Sequence, residues 1–75
     1  MEVEDLTAVI GIKNTAYELG AVETTRHKDR LVIKWYAFQD DARVLKFLAF
    51  LMRHQIKFSV NPNEDMISCV VRVFL

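Results

Sequence analysis

The stretch LVIKWYAFQDDARVLKFLAFLMRH, residues 31–54, decides the fold of this 75-residue chain. Its first eight residues are rich in Val, Ile, Trp, Tyr and Phe, which favour β-strands. The polar triplet QDD then interrupts the apolar pattern, and either Asp40 or Asp41 can cap a helix by accepting its free backbone amides. The stretch therefore predicts a strand, a cap and a helix from about Ala42 to His54.

The spacing of apolar residues gives that helix a buried face and an exposed face. Phe50 falls between Lys46 and Arg53, away from the predicted core, so we expect it to be at least partly exposed. An aromatic residue inside a cationic rim is typical of protein-interface hot spots, although a single exposed apolar residue is also ordinary. The residues predicted to be buried are Val44, Leu45, Phe47, Leu48, Leu51 and Met52.

Residues 3–19 predict a first helix, with acidic residues at its start that suit the helix dipole. Gly20 stands where a C-terminal cap is expected. The alternative for this segment is a strand over Leu6–Ile12, because Gly11 is unfavourable inside a helix. The apolar face of the helix consists of Ala8, Val9, Ile12, Ala16 and Leu19.

The remaining segments predict two hairpins. Residues 21–26 and 31–38 flank a polar turn, and the alternation from Ile56 to Val60 indicates a third strand. Turn-forming residues 61–65 separate it from a last strand whose buried face is Ile67, Cys69, Val71, Val73 and Leu75. The order α-β-β-α-β-β predicts an α+β fold, a four-stranded antiparallel sheet with two helices on one face. A ferredoxin-like β-α-β-β-α-β arrangement is the alternative, and it requires the strand at Leu6–Ile12.

A sheet covered on one face leaves the other face open. An apolar patch there marks an interaction site, which predicts a homodimer or a dedicated partner, unless a one-residue shift of register swaps the faces. The residues assigned to the open face are Val32, Lys34, Tyr36, Phe38, Val70, Arg72 and Phe74.

Charge is unevenly distributed along a chain whose formal net charge is zero. Residues 1–25 carry one positive and five negative side chains, whereas residues 26–57 carry eight positive and three negative ones. Neighbouring acidic and basic helices can simply attract each other, but a basic face can also bind an acidic protein surface. The residues predicted to bind such a partner are Arg43, Lys46, Phe50, Arg53 and His54, with Trp35 and Tyr36 on the sheet.

Nucleic-acid binding is the alternative function. Arg26, Lys28 and Arg30 in the first hairpin, together with the helix over residues 43–54, form a candidate basic surface. On an open sheet face, Trp35 and Tyr36 would stack on bases.

Catalysis and metal binding have little support in the sequence. Cys69 is the single cysteine and lies mid-strand, where a thiol is usually an inert core residue. No zinc spacing, phosphate-binding loop or nucleophile elbow occurs, so the sequence predicts no cofactor and no metal. We expect one cytoplasmic, non-membrane domain that acts as a small regulator, inhibitor or adaptor, of the kind that phages and mobile elements carry.

Overall fold

A computed structural model describes residues 3–38, 41–65 and 67–75, with the side chains of the first helix described from residue 8 onward. It contains two helices and four strands in the predicted order. The elements are α1 (Val3–Glu18), β1 (Glu23–Arg26), β2 (Arg30–Trp35), α2 (Ala42–Arg53), β3 (Phe58–Pro62) and β4 (Cys69–Phe74).

The strands form one antiparallel sheet in the order β1-β2-β4-β3. Each hairpin therefore contributes its second strand to the centre, where Arg30 lies opposite Phe74 and Trp35 opposite Cys69. The α+β prediction is confirmed. The ferredoxin-like alternative is wrong, because Leu6–Ile12 lies inside α1.

The core lies between the central strands and both helices. Every second residue of β2 and β4 faces this core. Trp35 of β2 is fully buried and contacts both α2 and the segment that follows α1. Its ring centroid lies 5.0 Å from that of Phe47, and its indole N–H donates to the Leu19 carbonyl at 3.2 Å. The fully buried strand residues are Leu31, Ile33, Trp35, Cys69, Val71 and Val73, packed with Ile12, Ala16, Val44, Phe47 and Leu51.

The helix ends are confirmed as predicted. Gly20 has φ +95°, a conformation that glycine adopts without steric cost, and the next residue's amide returns to the Ala16 carbonyl at 2.9 Å. At the start of α2, the Asp41 carboxylate accepts the Arg43 amide at 2.8 Å. Asp40, the other candidate cap, lies outside the described residues.

The predicted buried face of α2 is partly wrong. Val44, Phe47 and Leu51 are buried and Leu48 is half-buried, but Leu45 and Met52 are 49% and 62% exposed. The helix instead turns its aromatic side inward, where the rings of Phe47 and Phe50 lie 6.0 Å apart. An aromatic side chain that packs against the core removes more apolar surface from water than a leucine or methionine does.

The predicted bounds of all four strands differ from the observed ones. β1 begins at Glu23 and not at residue 21, and β3 runs over Phe58–Pro62, so Asn61 and Pro62 belong to a strand and not to the predicted turn.

β2 ends at Trp35, so Tyr36 and Phe38 lie beyond it and are each 62% exposed. Ile67 and Leu75 flank β4 and are also exposed, contrary to their predicted burial. Among the described residues, no helix is long and apolar enough to cross a membrane.

Candidate binding surfaces

The first candidate surface is the side of α2 that points away from the core. We call it the outer face of α2. At about 100° per residue, Leu45 and Met52 form one row, Lys46 and Arg53 form the opposite row, and small residues lie between them. Its members, all exposed, are Ala42, Leu45, Lys46, Ala49, Met52 and Arg53.

Three of the residues predicted to bind a partner make contacts within the chain. Arg43 and His54 remain exposed, and Phe50 is partly exposed, as expected. Phe50 is half-buried against the core, and its ring centroid lies 4.7 Å from that of His54, which caps the helix. The Arg43 Nε lies 3.1 Å from the Asp41 carboxylate. The hydrogen bond from the Arg43 side chain lowers the pKa of Asp41 and raises the pKa of Arg43. The helix therefore presents Lys46 and Arg53 without the aromatic anchor that the sequence suggests.

The prediction that Trp35 shares an open face with Tyr36 is also wrong. Trp35 lies on the same face of β2 as Leu31 and Ile33, which are every second residue of the strand. Its side chain therefore points toward the helices, and its exposure is 0%. Tyr36 follows the end of β2 and is exposed. Of these two aromatic residues, only Tyr36 is accessible to a ligand.

The second candidate surface is the sheet face opposite the helices, here called the open sheet face. The strand register confirms the predicted positions of Val32, Lys34, Val70, Arg72 and Phe74 on it. It adds a third cation, because Arg30 lies opposite Phe74. The edge strands complete the face with Glu23 and Thr25 on β1 and Ser59 and Asn61 on β3.

The three cations of the open sheet face differ in what holds them. The Lys34 Nζ lies 5.6 Å from the centroid of the Tyr36 ring, within the range of a cation–π contact. Arg72 donates from Nη1 to the Asn61 side-chain oxygen at 3.0 Å. The Arg30 Nε is buried and finds no hydrogen-bond acceptor among the described residues.

One end of the sheet gathers further positive charge. The Phe74 amide donates to the Lys57 carbonyl at 2.9 Å, and the Leu75 amide donates to the Asp29 carbonyl at 3.0 Å. These bonds place Lys57 and the turn between β1 and β2 beside Arg30. The exposed basic residues of this turn region are Arg26, His27 and Lys28.

The nucleic-acid surface predicted from residues 26–30 and 43–54 is only partly assembled. Arg53 precedes the segment that leads into β3 at this basic end of the sheet. Arg43 lies ten residues earlier on α2, about 15 Å along the helix axis. The hairpin turn and the start of α2 therefore do not form one continuous basic surface.

A polar cluster in the loop between β3 and β4 was not singled out in the sequence. The Asp65 carboxylate accepts the backbone amides of Ile67 and Ser68 at 3.1 Å and the buried Ser68 hydroxyl at 2.9 Å. The Ile67 amide and the Ser68 hydroxyl lower the pKa of Asp65. Asn63 donates to the same hydroxyl at 2.8 Å, so the cluster closes the loop. The turn composition of residues 61–65 was its only signal.

Cys69 lies at the start of β4, directly after this loop. It is fully buried, as the sequence predicted, and burial raises the pKa of its thiol. A buried thiol with a raised pKa is a poor nucleophile. Within the described ranges, no three His, Cys, Asp or Glu side chains group closely enough to hold a metal ion.

The chain matches no protein-family model. No curated protein and no solved structure is detectably similar to it either. Its function is therefore inferred from its own surfaces.

Proposed function

We propose that this chain is a non-catalytic binding module that engages an acidic protein partner through the outer face of α2. The observation that carries the proposal is the exposure of Leu45 and Met52 in one row beside Lys46 and Arg53. None of the six residues of this face is acidic. The face thus combines an apolar strip with positive charge along one flank.

Each part of the outer face has a role in binding. Full burial of a leucine or methionine side chain against a partner contributes roughly 1.5–3 kcal/mol before the costs of association. Ala42 and Ala49 have short side chains, so a partner can approach the helix closely between the two rows. Lys46 and Arg53 favour a partner with carboxylates beside its apolar strip, and they mainly raise the association rate and the specificity.

The apolar strip favours a protein over a nucleic acid as the partner of this face. Leu45 and Met52 have no charge for a phosphate and no ring to stack on a base. They fit the apolar side of an amphipathic segment, such as a helix laid along α2.

A second copy of the chain fits this face poorly. Antiparallel pairing of two α2 helices about Ala49 brings Lys46 of one copy near Arg53 of the other. Because the face has no acidic residue, this like-charge contact is not compensated. A distinct acidic partner is therefore favoured over a homodimer built on this face.

Capture of partners from the native host tests the proposal. The tagged chain is purified after nuclease treatment, in parallel with Leu45→Glu and Met52→Glu variants. We expect one acidic protein to be captured by the wild type and lost from both variants, and to bind the purified wild type directly. Ile10→Glu is the matched control, because Ile10 is a similarly exposed apolar residue on α1. Retention of the same protein by both α2 variants, or its equal loss from the control, would contradict the proposal.

A further inference from the structure

The open sheet face carries three cations and the exposed ring of Phe74, and the exposed ring of Tyr36 lies just beyond the end of β2, beside Lys34. The proposed function uses none of them. We propose that this face is a second binding site, for single-stranded nucleic acid, with Arg30, Lys34 and Arg72 on the phosphates and Tyr36 and Phe74 on the bases. The site is independent of the outer face of α2, because the helices pack on the opposite side of the sheet.

Charge on the open sheet face favours a polyanion. Arg30, Lys34 and Arg72 lie on the two central strands, with Arg72 at a register position between the other two, so the three positive charges form a row along the sheet. The acidic residue on this face is Glu23, at the edge and opposite Lys34. Asp65, in the adjoining loop, remains charged and interacts electrostatically with Lys34, so the positive potential of this face is strongest toward Arg30 and Arg72. The basic end of the sheet, with Lys28 and Lys57, extends the positive surface beyond Arg30 and Phe74.

The aromatic rings stand at opposite ends of this row of charge. Phe74 lies beside Arg30, and Tyr36 contacts Lys34 through its ring. Arg30 and Lys34 are four residues apart on β2, about 13 Å along the strand. An extended single strand that crosses the sheet from Phe74 to Tyr36 would place its phosphates along the cations and stack a base at each end.

Arg30 lies on the open sheet face opposite Phe74 and is only half-buried, so its guanidinium can contribute to a phosphate site there. Its Nε is buried and has no acceptor among the described residues, so a phosphate would bind the terminal N–H groups and not this atom. An Arg guanidinium binds phosphate through several N–H groups at once, so a phosphate beside Arg30 would give its side chain an acceptor.

Other occupants of this face are less well matched. A duplex hides its bases, so Tyr36 and Phe74 would have nothing to stack on. A second copy would place the cations of two open sheet faces against each other. An acidic peptide would satisfy the cations, but Val32 and Val70 are half-buried between them and leave little apolar surface for peptide side chains.

Fluorescence anisotropy with a labelled oligothymidylate of about 12 nucleotides tests the site. We expect binding that weakens with salt, with log K falling against log salt at a slope of about −2 for three phosphate contacts. The double variant Lys34→Gln, Arg72→Gln should reduce this slope to about −0.7. Tyr36→Ala, which lies outside the strands and does not threaten the sheet, should weaken binding about tenfold.

The matched control is the double variant Lys46→Gln, Arg53→Gln, which removes the same charge from the outer face of α2. It should bind the oligonucleotide as the wild type does. No binding at low salt, or an equal loss in both double variants, would overturn the proposal. Tighter binding of a duplex, or equal competition by polyglutamate, would overturn it in favour of another anion. None of these results depends on whether a protein binds the outer face of α2.

Discussion

At the scale of single residues, Asp65 shows how one carboxylate organises a loop. It accepts two backbone amides and the buried Ser68 hydroxyl, and these bonds lower its pKa. A carboxylate whose pKa is lower in the folded chain than in the unfolded chain stabilises the fold above its ordinary pKa of 3.8. That contribution is lost as the pH falls through the lower, folded-state pKa.

Asp65→Ala should therefore lower the melting midpoint at neutral pH, because Ser68 loses its acceptor in a buried site. The variant should also lose less stability than the wild type between about pH 5 and about pH 2. Thermal melts followed by circular dichroism across this range measure both effects. Glu64→Ala, an exposed neighbour in the same loop, is the control and should behave as the wild type. Parallel pH profiles for Asp65→Ala and the wild type would contradict this role.

At the scale of elements, the two glycines of the first helical segment have opposite roles. Gly11 lies inside α1, and a Cβ added there would meet no atom within 4 Å. Gly20 has φ +95°, and a Cβ there would lie 2.9 Å from the Arg43 Nη1. The Arg43 side chain can move, so the cost of a side chain at Gly20 comes mainly from the backbone conformation.

Gly11→Ala should stabilise the chain by about 0.5–1 kcal/mol, because alanine favours the helix and no contact opposes it. Gly20→Ala should destabilise it by about 1–3 kcal/mol. Equilibrium urea denaturation measures both free energies of unfolding. The two variants introduce the same methyl group, so a shift of both in one direction would contradict these assignments.

The elements whose signals are local were predictable from the sequence. Asp41 and Gly20 cap helices through their own conformations and hydrogen bonds, and the alternation in β2 and β4 identifies the central strands. The rotation of α2 was not predictable. Phe50 and Met52 each lie about 100° from the centre of the buried arc, so helical spacing does not favour one over the other. The choice depends on the packing of Phe50 beside Phe47, a tertiary contact.

The candidate site was predicted only in part, for the same reason. Lys46 and Arg53 are on the outer face of α2 as expected, but its exposed apolar residues are Leu45 and Met52, which the helical pattern assigned to the core. Trp35 was misplaced because it was grouped with its neighbour Tyr36, although adjacent residues of a strand point to opposite faces; the alternation that assigns Lys34 to the open sheet face assigns Trp35 to the helices.

At the scale of the whole molecule, charge is separated along the strands. The turn between β1 and β2 and the residue before β3 bring Lys28, Arg30 and Lys57 to one end, where Asp29 is the acidic residue among them. The opposite end carries acidic residues at the end of α1, the start of β1, the N-cap of α2 and the loop between β3 and β4. These residues are Glu18, Glu23, Asp41, Glu64 and Asp65. A zero net charge therefore coexists with a basic region that can attract an acidic partner.

The proposed binding surface requires that α2 leave Leu45 and Met52 exposed while Phe50 packs against the core. The free energy of unfolding distinguishes exposed from buried positions. A charged side chain introduced at an exposed position changes it little, whereas one introduced in the core lowers it strongly. The decisive measurement is the melting midpoint of Met52→Glu beside that of Phe50→Glu. We expect Met52→Glu to change the free energy of unfolding by no more than about 0.5 kcal/mol, so its melting midpoint should stay close to that of the wild type. Phe50→Glu should lose about 2 kcal/mol or more, a fall of roughly 8–16 °C in a chain of this size. The reverse order, with Met52→Glu unfolding first, would mean that α2 presents Phe50 and not Met52 to a partner, and it would contradict the proposed binding surface.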